Sequence, residues 1–62
     1  MEFLINNSYK ICFNLNGNMI TFTCKVIKDE KDFVTFIDKF DKKLTYNKSL
    51  IMSVEEVSNE SL

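Results

Sequence analysis

The chain has 62 residues, a net charge of −1, no histidine, no proline, one glycine and two cysteines. A chain this short buries only roughly 60% of the surface it exposes when unfolded, so its core needs reinforcement from a disulfide, a metal or a partner chain. Without histidine there is no imidazole base, and a single glycine cannot build a Gly-rich phosphate loop.

Disulfide and metal are both poor candidates. The first seven residues have no basic start and too short an apolar run for a secretory leader, so a cytoplasmic chain with reduced thiols is expected. No Cys-x-x-Cys spacing exists, so no metal or other cofactor is expected. No segment approaches the ~20 apolar residues of a membrane span. The charge is unevenly spread. Residues 1–54 hold all eight lysines and are net +2; residues 55–62 hold three acids and no base.

In chain order, residues 1–7 suit a short strand or a single helical turn. Asn16-Gly17 between two alternating apolar runs is the strongest short hairpin signal. A two-residue turn there sets Phe13 opposite Ile20, Ile11 opposite Phe22 and Tyr9 opposite Cys24, all on one apolar face. Asn14, Cys12 and Lys10 meet Met19, Thr21 and Thr23 on the other. Cys12 and Cys24 then point to opposite faces and cannot bridge. The second strand runs from Asn18 to about Lys28, and its apolar phase breaks at Ile27, which predicts a bulge or sharp bend.

Asp29-Glu30-Lys31-Asp32 reads as a charged turn. Phe33 to Ile37 is apolar on both faces and reads as a central strand. The predicted core is Tyr9, Ile11, Phe13, Ile20, Phe22, Cys24 and Val26, with at least one of Phe33 and Ile37. Asp38 to Lys43 is a second turn whose register is not pinned. Leu44-Thr45-Tyr46 is a fourth strand, Asn47-Lys48-Ser49 a connector and Leu50 to Val54 a fifth strand. The tail 55–62 is expected to fray. These elements describe one all-β domain over residues 1–54: a small, strongly bent five-stranded barrel of SH3-like, Sm-like or OB-like type.

Two features go beyond architecture. Lys39, Lys42, Lys43 and Lys48 have only Asp41 as an acid among residues 39–48. Lysines in turns commonly serve solubility; here they also offer contacts to phosphates. In addition, Tyr46-Asn47-Lys48-Ser49-Leu50-Ile51-Met52-Ser53-Val54 resembles the second signature of Sm, Lsm and Hfq proteins. Ile11 to Gly17 is similar to that family's first strand, and Val26-Ile27-Lys28-Asp29 to Phe36 resembles the turn that carries a key aspartate.

The resemblance covers residues 9–54 and rests mainly on hydrophobic spacing. It implies an oligomeric barrel that binds RNA or single-stranded nucleic acid. The family's base-binding asparagine falls on Phe33, which could stack on a base instead, and its Arg-Gly knuckle falls on Asn47-Lys48. The expected nucleic-acid residues are thus Phe33, Lys39, Lys42, Lys43, Asn47 and Lys48. Leu50 to Val54 has no charge and no proline to protect an edge, so Leu50, Ile51, Met52 and Val54 are the expected homo-oligomer interface. A non-catalytic module is expected throughout. The second reading is a protein-interaction module, such as a small phage or plasmid accessory protein that binds and inhibits a host factor.

Overall fold

The computed structural model describes residues 2–57. Five antiparallel strands form one sheet: β1 (Ser8–Leu15), β2 (Asn18–Asp29), β3 (Phe33–Asp38), β4 (Lys43–Asn47) and β5 (Ile51–Val57). A single 3-10 turn, Lys48–Leu50, joins β4 to β5. The order across the sheet is β4-β3-β2-β1-β5. The all-β, five-stranded expectation holds, but the sheet does not close into a barrel. Among the described residues no strand pairs with the outer edge of β4 or β5.

The first hairpin forms in the expected register, with Phe13 opposite Ile20, Ile11 opposite Phe22 and Tyr9 opposite Cys24. Asn16 and Gly17 have φ of +54° and +87°, the left-handed pair that a tight two-residue turn needs. The Gly17 N–H donates to Asn14 Oδ1 at 2.9 Å. The β2–β3 register shifts between Val26 and Lys28, placing the bulge at the phase break, Ile27. A bulge bends its strand and increases local twist. That bend lets β2 pair with β1 over its first part and with β3 over its last.

The sheet curls around its apolar face. Tyr9, Ile11, Phe13, Cys24, Val26, Val34 and Phe36 are buried there. Leu15, Phe22, Leu44, Tyr46, Leu50 and Ile51 pack around them. Four rings form the centre: Phe13 stacks on Phe36 at 5.7 Å between centroids, Tyr46 lies 4.9 Å from Phe13, and Phe22 lies 5.4 Å from Phe36. Each fully buried side chain of this size contributes roughly 1.5–3 kcal/mol.

Two core expectations need correction. Ile20 is 39% exposed, because it lies near the hairpin tip with Leu15 and Asn18, at the margin of the packed face. In β3 the buried apolar residues are Val34 and Phe36, with Thr35 also buried, while Phe33 is 45% exposed and Ile37 half-buried. The strand alternates, so Phe33, Thr35 and Ile37 share the other face.

Residues 2–7 form neither a strand nor a helix. They continue beside β2 past the start of β1, with Asn6 N–H donating to the Val26 carbonyl at 2.7 Å. Asn7 N–H closes a turn onto the Leu4 carbonyl, and Asn6 has φ of +72°. The segment buries Phe3 edge-on against Tyr9, with centroids 5.0 Å apart, and leaves Leu4 and Ile5 exposed. At the other terminus β5 runs past Val54, pairing Glu55 with Lys10 and Glu56 with Tyr9. The remainder of the acidic tail, 58–62, lies outside the described residues. No described helix is long and apolar enough to cross a membrane.

Candidate nucleic-acid interface and sheet edges

The expected nucleic-acid residues separate into two groups at opposite ends of the β3–β4 hairpin. Phe33 at the start of β3 pairs with Asn47 at the end of β4. Lys39, Lys42 and Lys43 gather at the turn that joins the two strands.

At the Phe33 end, Asn47 and Lys48 are committed to structure. Asn47 caps the 3-10 turn, its Oδ1 accepting from Ser49 N–H at 2.9 Å. Lys48 N–H donates to the Asp32 carbonyl at 2.8 Å, tying the connector to the β2–β3 turn. The Lys48 ammonium pairs with Asp29 Oδ1, and the two side chains are only 13% and 16% exposed. It also sits 5.9 Å from the Phe3 ring centroid. Asp29 Oδ2 accepts from Phe3 N–H at 3.1 Å. Desolvation pushes the Asp29 pKa up, but Lys48 and the Phe3 amide outweigh it and hold the carboxyl below its ordinary value. The groove beside Lys48 is lined by Glu2, Asp29, Glu30 and Lys31, with Asp29 already neutralised by Lys48.

The other end is an exposed, internally hydrogen-bonded tip. Asp38 Oδ1 accepts from both Phe40 and Lys42 N–H at 2.9 Å. Asp38 N–H donates to the Lys42 carbonyl, and Asp41 N–H to the Asp38 carbonyl, both at 3.0 Å. Asp41 takes φ of +66° to complete the loop. At its apex Phe40 is 77% exposed, with Lys39 Nζ 5.3 Å from the ring centroid. Phe40 was not among the residues expected from the sequence. The signal was an aromatic inside a charged turn, where no core face exists to claim it.

Of the four residues expected at the interface between copies, Leu50 and Ile51 pack against the core, whereas Met52 and Val54 are 57% and 36% exposed. Cys12 is half-buried and Cys24 buried, both as free thiols. Burial, aided by the negative charge of Asp38, pushes the Cys24 thiol up to about 11, so it stays protonated. Among the described residues, no three His, Cys, Asp or Glu side chains come together as a metal site.

Compared with protein-family models, with curated proteins and with solved structures, the chain shows no significant match.

Proposed function

We propose that this chain is a non-catalytic cytoplasmic binding module, an Sm-like subunit that assembles edge to edge and holds RNA or single-stranded nucleic acid. The observation that carries the assembly is the pair of open edges, β4 and β5, at opposite margins of one curved sheet. An exposed strand edge is a template for another strand, and β5 presents Met52, Ser53 and Val54 with no charge among them.

The two edges are complementary. An antiparallel pairing that sets Lys43 of β4 opposite Glu55 of β5 in the next copy also sets Leu44 opposite Val54 and Tyr46 opposite Met52. Such a head-to-tail contact is heterologous, so it propagates until rotation closes it into a ring. The bent β2 and the one-turn connector before β5 support the Sm-like reading.

Light scattering at tens of micromolar tests the assembly. The expected mass is a multiple of 7.3 kDa, and Met52→Lys is expected to reduce it to the monomer. A monomeric wild type overturns the assembly and turns the exposed β5 edge toward a strand of a different protein, the protein-interaction reading. Filter binding with mixed oligonucleotides at low and moderate salt tests the ligand. Affinity that falls steeply with salt supports nucleic acid; no retention at micromolar protein removes it.

A further inference from the structure

We propose that the outward face of β2, β3 and β4 is a track for one strand of nucleic acid, bounded by Phe40 at the hairpin tip and Phe33 at the far end. The proposal rests on the nucleic-acid reading above and assigns its site.

The register builds this face. Lys25 of β2, Ile37 of β3 and Lys43 of β4 lie in one row across the three strands. Lys28, Thr35 and Thr45 form the next row. Both rows point away from the ring cluster, because Val34, Phe36, Leu44 and Tyr46 occupy the alternate positions. Along the second row lies a shallow groove of about 360 Å³, lined by Ile27, Lys28, Glu30, Thr35, Lys43 and Thr45. The threonine hydroxyls contact each other at 2.8 Å.

The charge of the face is mainly positive. Lys25, Lys28 and Lys43 are exposed on it, and Lys39 and Lys42 extend it onto the tip. Glu30 also lines the groove and partly offsets Lys28, whose ammonium lies 4.0 Å from its carboxylate. Asp38 turns inward onto the tip amides, leaving Asp41 as the tip's outward acid. Lysines spaced along a groove match a phosphate backbone.

The aromatics supply what a charged groove alone lacks. Phe33 and Phe40 are both solvent-exposed, and Phe40 is held by an ordered loop. Phe33 and Ile37 are four residues apart, roughly 13 Å of strand, and Phe40 lies beyond Ile37. The two rings thus stand far enough apart to stack on different bases of one short segment. Stacking of this kind is tolerant of sequence, because every base has a π-face. A duplex hides its base faces, so the combination selects single strands.

The test is fluorescence anisotropy with labelled oligo-dT and oligo-U on the full chain. Phe40→Ala and Phe33→Ala are each expected to weaken binding about tenfold. Lys25→Gln and Lys42→Gln are each expected to reduce the slope of log affinity against log salt by about 0.7. Phe40 is exposed, so its variants keep the fold, and thermal melts of all four verify it. The chain has no tryptophan, so Phe40→Trp gives a single tryptophan, excited selectively over the two tyrosines, whose fluorescence is expected to fall as oligonucleotide binds.

If wild type binds and all four variants bind equally well, the track is overturned while the nucleic-acid reading stands. If wild type binds no oligonucleotide, both fail. Binding to phosphatidylserine vesicles with no oligonucleotide binding overturns the track in favour of a membrane surface.

Discussion

The molecule uses the same pair of residues at both ends of the β3–β4 hairpin, with opposite results. Lys48 lies over the Phe3 ring, and Lys39 lies over the Phe40 ring. At the first end the ring is buried and a carboxylate, Asp29, neutralises the ammonium. At the second end ring and ammonium both face solvent, and the nearby carboxylate of Asp38 is spent on backbone amides. A lysine beside an aromatic is therefore not a binding signal by itself. What distinguishes the two is the third partner: where a carboxylate meets the ammonium the unit holds the fold, and where it meets the backbone the ammonium stays available to a ligand.

The strongest way to break this comparison is to remove each ring. Phe3→Ala opens a void against Tyr9 and Lys48, and such truncations cost about 3 kcal/mol or more. For a chain with little stability to spare, that is most of the margin. Phe40→Ala removes a ring that buries little and should stay within about 0.5 kcal/mol of wild type. Urea melts followed by circular dichroism measure both. Equal losses at the two positions would sink the distinction.

Several parts of this contrast were legible in the sequence and others were not. Asn16-Gly17 fixed the first hairpin register because a two-residue turn leaves only one pairing that segregates apolar from polar side chains. The phase break at Ile27 marked the bulge for the same reason. Phe33 to Ile37 gave no such marker, since four of its five residues are apolar. Thr35 alone interrupts the run, and because it is itself buried it did not mark Phe33 as exposed. The Lys48–Asp29 pair joins residues 19 apart through a connector and a bulged strand end, which no local pattern encodes. The unprotected edge at Leu50 to Val54 was legible, but the absence of closure was not: bent strands announce curvature, whereas closure depends on whether β4 and β5 meet, and here they do not.

Next in size is the ion pair itself. Lys48→Met keeps much of the alkyl packing on Phe3 but strands a shielded carboxylate, a loss of about 1–3 kcal/mol. Lys39→Met has no such partner to strand and should leave stability unchanged. The pair also predicts a pH dependence. Lys48 and the Phe3 amide lower the Asp29 pKa in the fold, so the stability it adds is present above the unfolded-state value, about 3.9. That stability is lost as pH falls through the lower folded value. Asp29→Asn should therefore show a shallower loss of stability on acidification below about pH 4 than wild type does. Parallel profiles in that range would mean that other carboxylates carry the acid sensitivity.

The smallest expected effect lies in the tip, and it separates backbone from charge. Asp41 sits at φ of +66°, a left-handed conformation in which an ordinary side chain is strained and aspartate is only tolerated. Asp41→Gly relieves that strain, but glycine also loses more backbone entropy on folding, so the two effects largely cancel. A gain of no more than about 0.5 kcal/mol is expected. The substitution also removes the outward acid from a turn that holds Lys39, Lys42 and Lys43. Asp41→Asn isolates that second consequence, because asparagine tolerates the same conformation without the charge. If the tip is the electropositive end of a nucleic-acid track, both variants should bind oligo-dT more tightly than wild type, and by similar factors. Tighter binding by glycine alone would mean that loop geometry, and not charge, governs the tip. Unchanged binding by both, with melting unaltered, would place the lysines of the tip outside the interface and leave Phe40 without the charged neighbours that make it more than an exposed ring.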